Sequence, residues 1–240
     1  MVAVRDFNSD DMNRFGEVIA RLERSGPFDD IRKLVLPDIV KLLKADFGAS
    51  YVWNGATGHS EDVYACNISA ANLARYKDWF QYCDPMSEKL RSKRRAALVD
   101  EVIDRSALMR SEFYNDFLLD EGMYSGINLF LFDRDLDIGD FRIWRNARQP
   151  EFSDRELGIM DALSPFLTRA LMRTKRYWAG TTSREREVVE LVARGCTDHD
   201  IARILGISFG TVRTHINRLL EKRSCANRAE LAAMFSSRPE

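Results

Sequence analysis

The chain has 240 residues, of which 45% are hydrophobic, a length that is enough for two modest cores and excludes one small disulfide-stapled domain. The formal net charge of −1 is unevenly distributed: residues 174–240 carry 12 Lys or Arg against 8 Asp or Glu, a formal +4, whereas residues 1–173 carry 24 against 29, a formal −5. A small basic segment, which can meet a polyanion, is therefore joined to a larger acidic body, which would repel one.

The four cysteines form no CxxC pair, and no histidine stands at metal-ligand spacing from them. The sequence therefore predicts reduced thiols, with no metal site, cofactor or disulfide framework. The N-terminus lacks a basic segment followed by a long apolar one, and no later run reaches the roughly 18–20 apolar residues that span a bilayer. We expect a soluble, cytoplasmic protein with no membrane partner.

Apolar residues at i, i+3, i+4 spacing predict two helices over residues 12–22 and 31–43. The later predicted elements are two strands within 48–67, helical stretches near 69–82, 86–94 and 106–120, a hairpin within 126–147, and a long helix after a capping box at Ser153 and Glu156. The aromatic residues Trp79, Phe113, Phe117 and Trp144 are assigned chiefly to the core. Helices that flank a central antiparallel sheet predict an α/β/α sandwich, within an overall α+β class.

Residues 174–181, "TKRYWAGT", interrupt the helical periodicity, and no cap follows before Thr182. We therefore predict a sensing and dimerising domain over 1–173, a linker over 174–181 and an all-α domain over 182–240. The last domain reads as four short helices. Their signals are a Thr182–Glu185 capping box, stops at Gly195 and Gly206, caps at Thr197 and Ser208, and a final Asn227–Glu230 box.

The second of these helices is predicted to bury Ile201, Ile204 and Leu205. The third follows Ser208 and divides into two faces. Its apolar side contains Val212, Ile216, Leu219 and Leu220, and its polar side and flanks contain Arg213, Thr214, His215, Asn217, Arg218 and Glu221. A helix, a tight glycine turn and a second helix of this kind are typical of a helix-turn-helix, whose second helix enters the major groove. A merely solvated polar face is the alternative interpretation.

Residues 182–231 resemble the DNA-binding domain of the LuxR/NarL family without a gap, in "SREREV", "IARILGIS", "TVRTH" and "NRAEL". The resemblance implies that Arg213, Thr214 and Asn217 approach bases, and that Ser208, Thr211, His215, Arg218 and Lys222 approach the DNA backbone. It also implies double-stranded DNA as a partner. Because the domain is only moderately basic, we expect a homodimer on an inverted-repeat operator. RNA polymerase is a further candidate partner.

Residues 67–126 resemble the ligand-binding half of quorum-sensing LuxR-type proteins, through the Asp84–Pro85 pair, Tyr76 upstream and Gly122 or Gly126 downstream. The resemblance implies a small-molecule pocket. By its chemistry Asp84 can accept a hydrogen bond from a ligand amide there, with Tyr76, Trp53 and Tyr64 as aromatic wall. The alternative interpretation is a structural turn or helix start at Asp84–Pro85, with the strand aromatics in the core. Asn72 stands where those proteins have Trp. We therefore expect either a ligand other than a simple acyl-homoserine lactone or a pocket partly filled by side chains.

The predicted function is therefore a DNA-binding transcriptional regulator controlled by a small molecule. The alternative is a ligand-independent regulator whose acidic body only dimerises or binds a protein partner. An enzyme is not predicted, because the sequence contains no nucleophile elbow, phosphate-binding glycine loop or HExxH motif, and only three histidines. No residue is assigned a catalytic role.

Overall fold

The computed structural model describes residues 8–26, 29–55 and 57–236. The described residues divide into two compact units. The larger contains residues 8–25, 29–55 and 57–172, and the smaller contains Gly26 and residues 173–236, so the end of the helix Asp154–Tyr177 belongs to the smaller unit. The outer limits of the two predicted domains, residues 1 and 240, lie outside the described residues.

The larger unit is built from a five-stranded sheet and helices of very different lengths. Its helices and strands are α1 (Ser9–Arg24), α2 (Ile31–Leu42), β1 (Phe47–Asn54), β2 (His59–Cys66), α3 (Ala70–Arg75), the π-helical segment π1 (Tyr76–Phe80), α4 (Gln81–Cys83), α5 (Ser87–Ser92), β3 (Ala97–Leu98), a 3-10 turn (Val99–Glu101), α6 (Arg105–Met109), the π-helical segment π2 (Tyr114–Leu118), α7 (Leu119–Glu121), β4 (Ser125–Asp133), β5 (Leu136–Arg145) and α8 (Asp154–Tyr177).

The strands are antiparallel and lie in the order β2-β1-β5-β4-β3. Successive side chains of a strand point to opposite faces, so the sheet has two cores. On one face, Ile127, Phe141 and Ile143 pack with apolar residues of α1, α2 and α8. On the other face, Tyr51, Phe130 and Trp144 pack with the segments between β2 and β4. This arrangement confirms the predicted α/β/α sandwich.

Two details of the larger unit differ from the prediction. Trp79 was assigned to the core but is 59% exposed, because it lies in π1, where the wider turn moves side chains off the face that a 3.6-residue period assigns to the core. The predicted break in periodicity at residue 174 is also wrong. Helix α8 continues to Tyr177.

The smaller unit contains, within the described residues, helices α9 (Ser183–Ala193), α10 (Asp198–Leu205), α11 (Phe209–Arg223) and α12 (Arg228–Ser236). The ring of Trp178 is buried and lies 5.3 Å from that of Phe235, so part of the predicted linker belongs to the core of this unit. The predicted caps at Thr182, Thr197 and Ser208 are confirmed, since each side chain accepts a hydrogen bond from the backbone of its helix.

Ile204 is 55% exposed, which corrects its assignment to the core of α10. The buried arc of this short helix contains Ile201, Ala202 and Leu205. At 100° per residue, Ile204 falls outside that arc. Of the helices that the structure describes, none combines the length and the apolar character that a bilayer crossing requires.

Candidate nucleic-acid interface and ligand cavity

The turn that precedes α11 and the first residue of the helix are determined by the local sequence. Gly206 ends α10 in the left-handed conformation, with φ of +64°, which a glycine adopts without strain. Two residues later the Ser208 hydroxyl accepts a hydrogen bond from Thr211 N at 3.1 Å, which begins the next helix. This tight turn holds α10 and α11 as a helix-turn-helix.

The two faces of α11 follow the predicted pattern. Val212, Ile216 and Leu219 are buried in the core of the smaller unit. The predicted DNA contacts that are exposed are Ser208, Thr211, Arg213, Thr214, Asn217, Arg218 and Lys222. His215 is half-buried, and its Nδ1 is enclosed without a hydrogen-bond partner, so only its Nε2 edge can reach a phosphate.

The cations of α11 differ in their partners. Arg213 and Arg218 make no hydrogen bond or ion pair with any residue that the structure describes. Lys222, by contrast, donates from Nζ to Gly180 O at 2.7 Å and to the two carboxylate oxygens of Glu185 at 2.9 and 2.7 Å. Its three N–H donors are thereby occupied, and Lys222 holds α11 against the capping box of α9.

The carboxylate of Glu185 is 2% exposed. Burial alone would raise its pKa, but the hydrogen bonds from Lys222 and from Thr182 outweigh burial and lower the pKa below its usual 4.5. Glu185 is therefore a buried anion at neutral pH, and Lys222 stabilises its charge. The sequence had instead predicted that Lys222 contacts DNA.

An aromatic contact at the start of α11 was not predicted. The ring of Phe209, the first residue of the helix, stacks on His199 with centroids 4.6 Å apart. The guanidinium of Arg213 lies 5.8 Å from the centroid of the same ring. Phe209 therefore borders one of the predicted base-reading residues.

The larger unit contains a narrow cavity of about 30 Å³ between the sheet and the π1 and π2 segments. Its lining residues are Ala49, Tyr51, Ile68, Leu73, Tyr76, Asp84, Met86, Ser87, Phe113, Phe117, Leu118, Met123, Asn128, Arg142 and Trp144. Two of the four predicted ligand contacts, Tyr76 and Asp84, are in this set. π-Helical turns are rare and are frequent at functional sites, so the wall that they form here supports a binding role.

The other two predicted contacts do not line the cavity. Tyr64 packs against the core on the opposite face of the sheet, because the alternation of strand β2 directs it there. Trp53 lies under the guanidinium of Arg91, whose Cζ is 3.7 Å from the ring centroid. We therefore remove both residues from the candidate ligand site.

Asp84 lines the cavity but is already fully hydrogen-bonded. Its Oδ1 accepts from Met86 N at 2.9 Å and Ser87 N at 3.0 Å, and its Oδ2 accepts from Ser87 Oγ at 2.6 Å and Tyr76 Oη at 3.2 Å. These are the contacts of a turn that starts helix α5. The carboxylate has little capacity left for a ligand.

Arg142, on β5, is the residue that the sequence analysis missed. Its guanidinium donates to Asp140 Oδ2 at 3.0 and 2.7 Å, to Ser60 Oγ at 3.1 Å and to Tyr76 Oη, and it lies 3.7 Å from Asp84. Burial alone would lower the pKa of Arg142, but the charges of Asp140 and Asp84, together with Tyr76 and Tyr51, outweigh burial and raise the pKa. The cation therefore stays charged and fills part of the cavity.

Asn128 lies beside Arg142 on the neighbouring strand β4. It is 2% exposed and lines the cavity, and its Oδ1 has no hydrogen-bond partner among the described residues. No hydrogen bond joins its Nδ2 to a described residue either. A buried amide oxygen without a partner is costly to the fold, so this position calls for a functional explanation.

Comparison with known proteins agrees with this geometry. Residues 181–235 match the family described as bacterial regulatory proteins, luxR family. The monoamine regulon transcriptional regulator of Klebsiella aerogenes is 28% identical over 180 residues, which is 72% of this chain and 76% of that protein. The nitrate/nitrite response regulator NarL of Escherichia coli K12 is 35% identical over 81 residues, which is 32% of this chain and only 38% of NarL.

Among solved structures, Escherichia coli SdiA superposes with a TM-score of 0.53 and 18% sequence identity, and the match covers 95% of this chain and 99% of SdiA. At this identity the likeness shows a shared fold. The match over residues 181–235 and the helix-turn-helix geometry of α10 and α11 identify this C-terminal part as a helix-turn-helix domain of the LuxR family, and the chain is similar to transcriptional regulators that carry it.

Proposed function

We propose that this regulator binds duplex DNA as a homodimer, through the exposed face of α11, and that a small molecule in the cavity of the larger unit controls it. The observation that carries the DNA part is the unpaired state of Arg213 and Arg218 on a helix whose other face is buried. Neighbouring cations such as Lys222 and Arg228 are engaged within the fold.

The roles proposed for α11 follow from chemistry and position. Arg213 and Asn217 present the groups that pair with guanine and adenine edges in the major groove, and Thr214 lies between them on the same face. Arg218, Ser208, Thr211 and His215 are proposed to contact phosphates, which position the helix. We drop Lys222 from this set, because Glu185 and Gly180 already occupy its donors.

The homodimer follows from the modest charge of the DNA-binding segment. A formal +4 over residues 174–240 provides few phosphate contacts for one copy. Two copies related by a two-fold axis would read an inverted repeat with half-sites about one helical turn apart. A chromosomal target places the site of action in the cytoplasm, and the proposal assigns no catalytic step to either unit.

The DNA part is tested by selecting bound duplexes from a random pool with the full chain, and then measuring the mass of the complex by light scattering. We expect an inverted repeat and two chains per duplex. A single half-site bound by one chain would contradict the proposal.

Ligand control is supported by the buried, unpartnered Asn128 amide in the wall of the cavity. The alternative, a regulator that needs no ligand, is favoured by Arg142, whose network fills part of the same cavity. Native mass spectrometry of the full chain decides between them. A small molecule that stays bound, and whose removal changes DNA affinity, supports control by a ligand, whereas a chain without one that binds DNA at full affinity supports the alternative.

A further inference from the structure

The polar groups of the cavity restrict the ligand's charge. Arg142 lies between Asp140 and Asp84, and the three side chains together carry a formal charge of −1. An anion placed beside them would add to an uncompensated negative charge at low dielectric, which is strongly unfavourable. Arg142 is also engaged by Asp140, Ser60 and Tyr76, so it is not available as an anion-binding residue.

Among the described residues that line the cavity, Asn128 has a side-chain oxygen that is both buried and without a hydrogen-bond partner. Its amide has one acceptor oxygen and one NH₂ donor, adjacent to each other, and neither has a partner among the described residues. An ammonium ion would satisfy the oxygen and leave the NH₂ group unpaired. An ether or ester would do the reverse, whereas a group with a donor beside an acceptor satisfies both.

We propose that the ligand is a small, neutral molecule with a cis-amide edge, such as a primary carboxamide or a lactam, which pairs with Asn128 through two antiparallel hydrogen bonds. The geometry is that of asparagine on an adenine edge, where donor and acceptor are also adjacent. A secondary amide in the usual trans form directs its N–H and C=O to opposite sides, and so it can satisfy one half of Asn128 only.

The apolar wall fits the rest of such a molecule. Phe113, Phe117 and Trp144 line the cavity next to this polar floor, and the cavity is narrow. An aromatic ring attached to the carboxamide is larger than this free space, so it can pack among these side chains only when they move apart to admit it. This inference rests on the proposed sensing function and names the class of ligand.

The test uses the full chain and four probes on one aromatic ring: benzamide, N,N-dimethylbenzamide, benzoate and benzylamine. Binding is measured by thermal shift and by titration calorimetry. We expect benzamide to bind at least about tenfold more tightly than the other three, because only benzamide makes both hydrogen bonds. Equal binding of benzamide and N,N-dimethylbenzamide would overturn the proposal.

Three variants assign the effect to Asn128. Asn128→Val should fold at least as stably as the parent, because it removes an unpaired buried amide, and it should lose the preference for benzamide. Asn128→Asp, which has acceptors only when ionised, should shift the preference to benzylamine. Ile127→Val is the matched control, since Ile127 is the preceding strand residue and packs in the opposite core, so this variant should keep the preference.

The results of these titrations distinguish a failure of the cis-amide inference from a failure of the proposed sensing function. If another probe binds better than benzamide, or if Asn128→Val keeps the preference, the cis-amide inference is wrong and the sensing function stands. If none of the four probes binds, the inference is also wrong, and the sensing function fails only when native mass spectrometry finds no small molecule on the chain.

Discussion

The exposed face of α11 and the cavity leave different kinds of group without a partner. On α11, the free groups are the guanidinium ions of Arg213 and Arg218, which lie in water. In the cavity, the charge of Arg142 is paired, and the neutral amide of Asn128 has a buried oxygen without a hydrogen-bond partner among the described residues. An unpaired charge costs little at a surface and several kcal/mol in the interior, whereas an unpaired buried amide costs less, about 1–3 kcal/mol. Each region therefore favours a different partner, a polyanion for the helix and an uncharged molecule for the cavity.

The largest expected effect comes from removing the buried cation. Arg142→Leu leaves Asp140 and Asp84 without their counter-ion, and we expect the larger unit to lose about 3–5 kcal/mol of unfolding free energy. Hydrogen exchange of the β5 amides measures this loss in the full chain. The control is Arg94→Leu, whose partner Asp135 is 97% exposed and whose loss should stay below about 1 kcal/mol. Equal losses in the two variants would mean that Arg142 does not organise the cavity.

The next effect concerns the free cations of α11. Arg213→Ala should weaken binding to the selected operator by about 1–3 kcal/mol and relax the preference at one base pair. Arg218→Ala, the matched control, should weaken operator and random duplex alike, because phosphate contacts carry no sequence information. Gel-shift titration on both duplexes measures the difference. If Arg213→Ala lowers both affinities equally, then Arg213 is not a base-reading residue.

A third prediction tests whether a paired cation behaves differently from a free one on the same helix. Lys222→Ala leaves the buried Glu185 without its main donor, so it should destabilise the smaller unit by about 1–2 kcal/mol. Hydrogen exchange of the α9 amides measures this change. Affinity for random duplex, measured below the temperature at which the unit unfolds, should stay near that of the parent. A loss of DNA affinity with no loss of stability would return Lys222 to the set of phosphate contacts.

The smallest expected effect is on acid stability. Because the folded pKa of Glu185 lies below 4.5, its contribution to stability is complete above pH 4.5 and is lost as the pH falls through the folded value. Glu185→Gln should therefore lower the stability of the smaller unit at neutral pH and reduce its further loss in acid. Thermal unfolding of parent and variant at a series of pH values measures how the stability of each depends on pH. If stability falls with pH equally in both proteins, Glu185 is not the group responsible.

The sequence predicted features that depend on local periodicity and capping. The caps at Thr182, Thr197 and Ser208 and the two faces of α11 are properties of a few consecutive residues, and each is seen in the structure. The α/β/α sandwich could be predicted for the same reason, because the hydrophobic periodicity of each strand and helix is contained in about ten consecutive residues.

The features that could not be predicted depend on distant pairings. Arg142 bonds to Ser60 and Tyr76, which are 82 and 66 residues away in the sequence, and Lys222 pairs with Glu185 across 37 residues. No local pattern distinguishes these cations from free ones. Asp84 is the opposite case, because a turn at Asp84–Pro85 can be predicted from the sequence. In the structure this turn occupies the carboxylate, which was predicted to bind a ligand.

The attachment of α11 at both ends also determines how the chain responds to temperature when it binds DNA. Ser208 fixes the start of the helix, and Lys222 fixes its last turn through Glu185. The recognition surface is thus already folded before it meets a duplex, and no coupled folding adds to the heat-capacity change of binding. That change should then be small and proportional to the contact area alone, so that the affinity varies only gently over the range of growth temperatures.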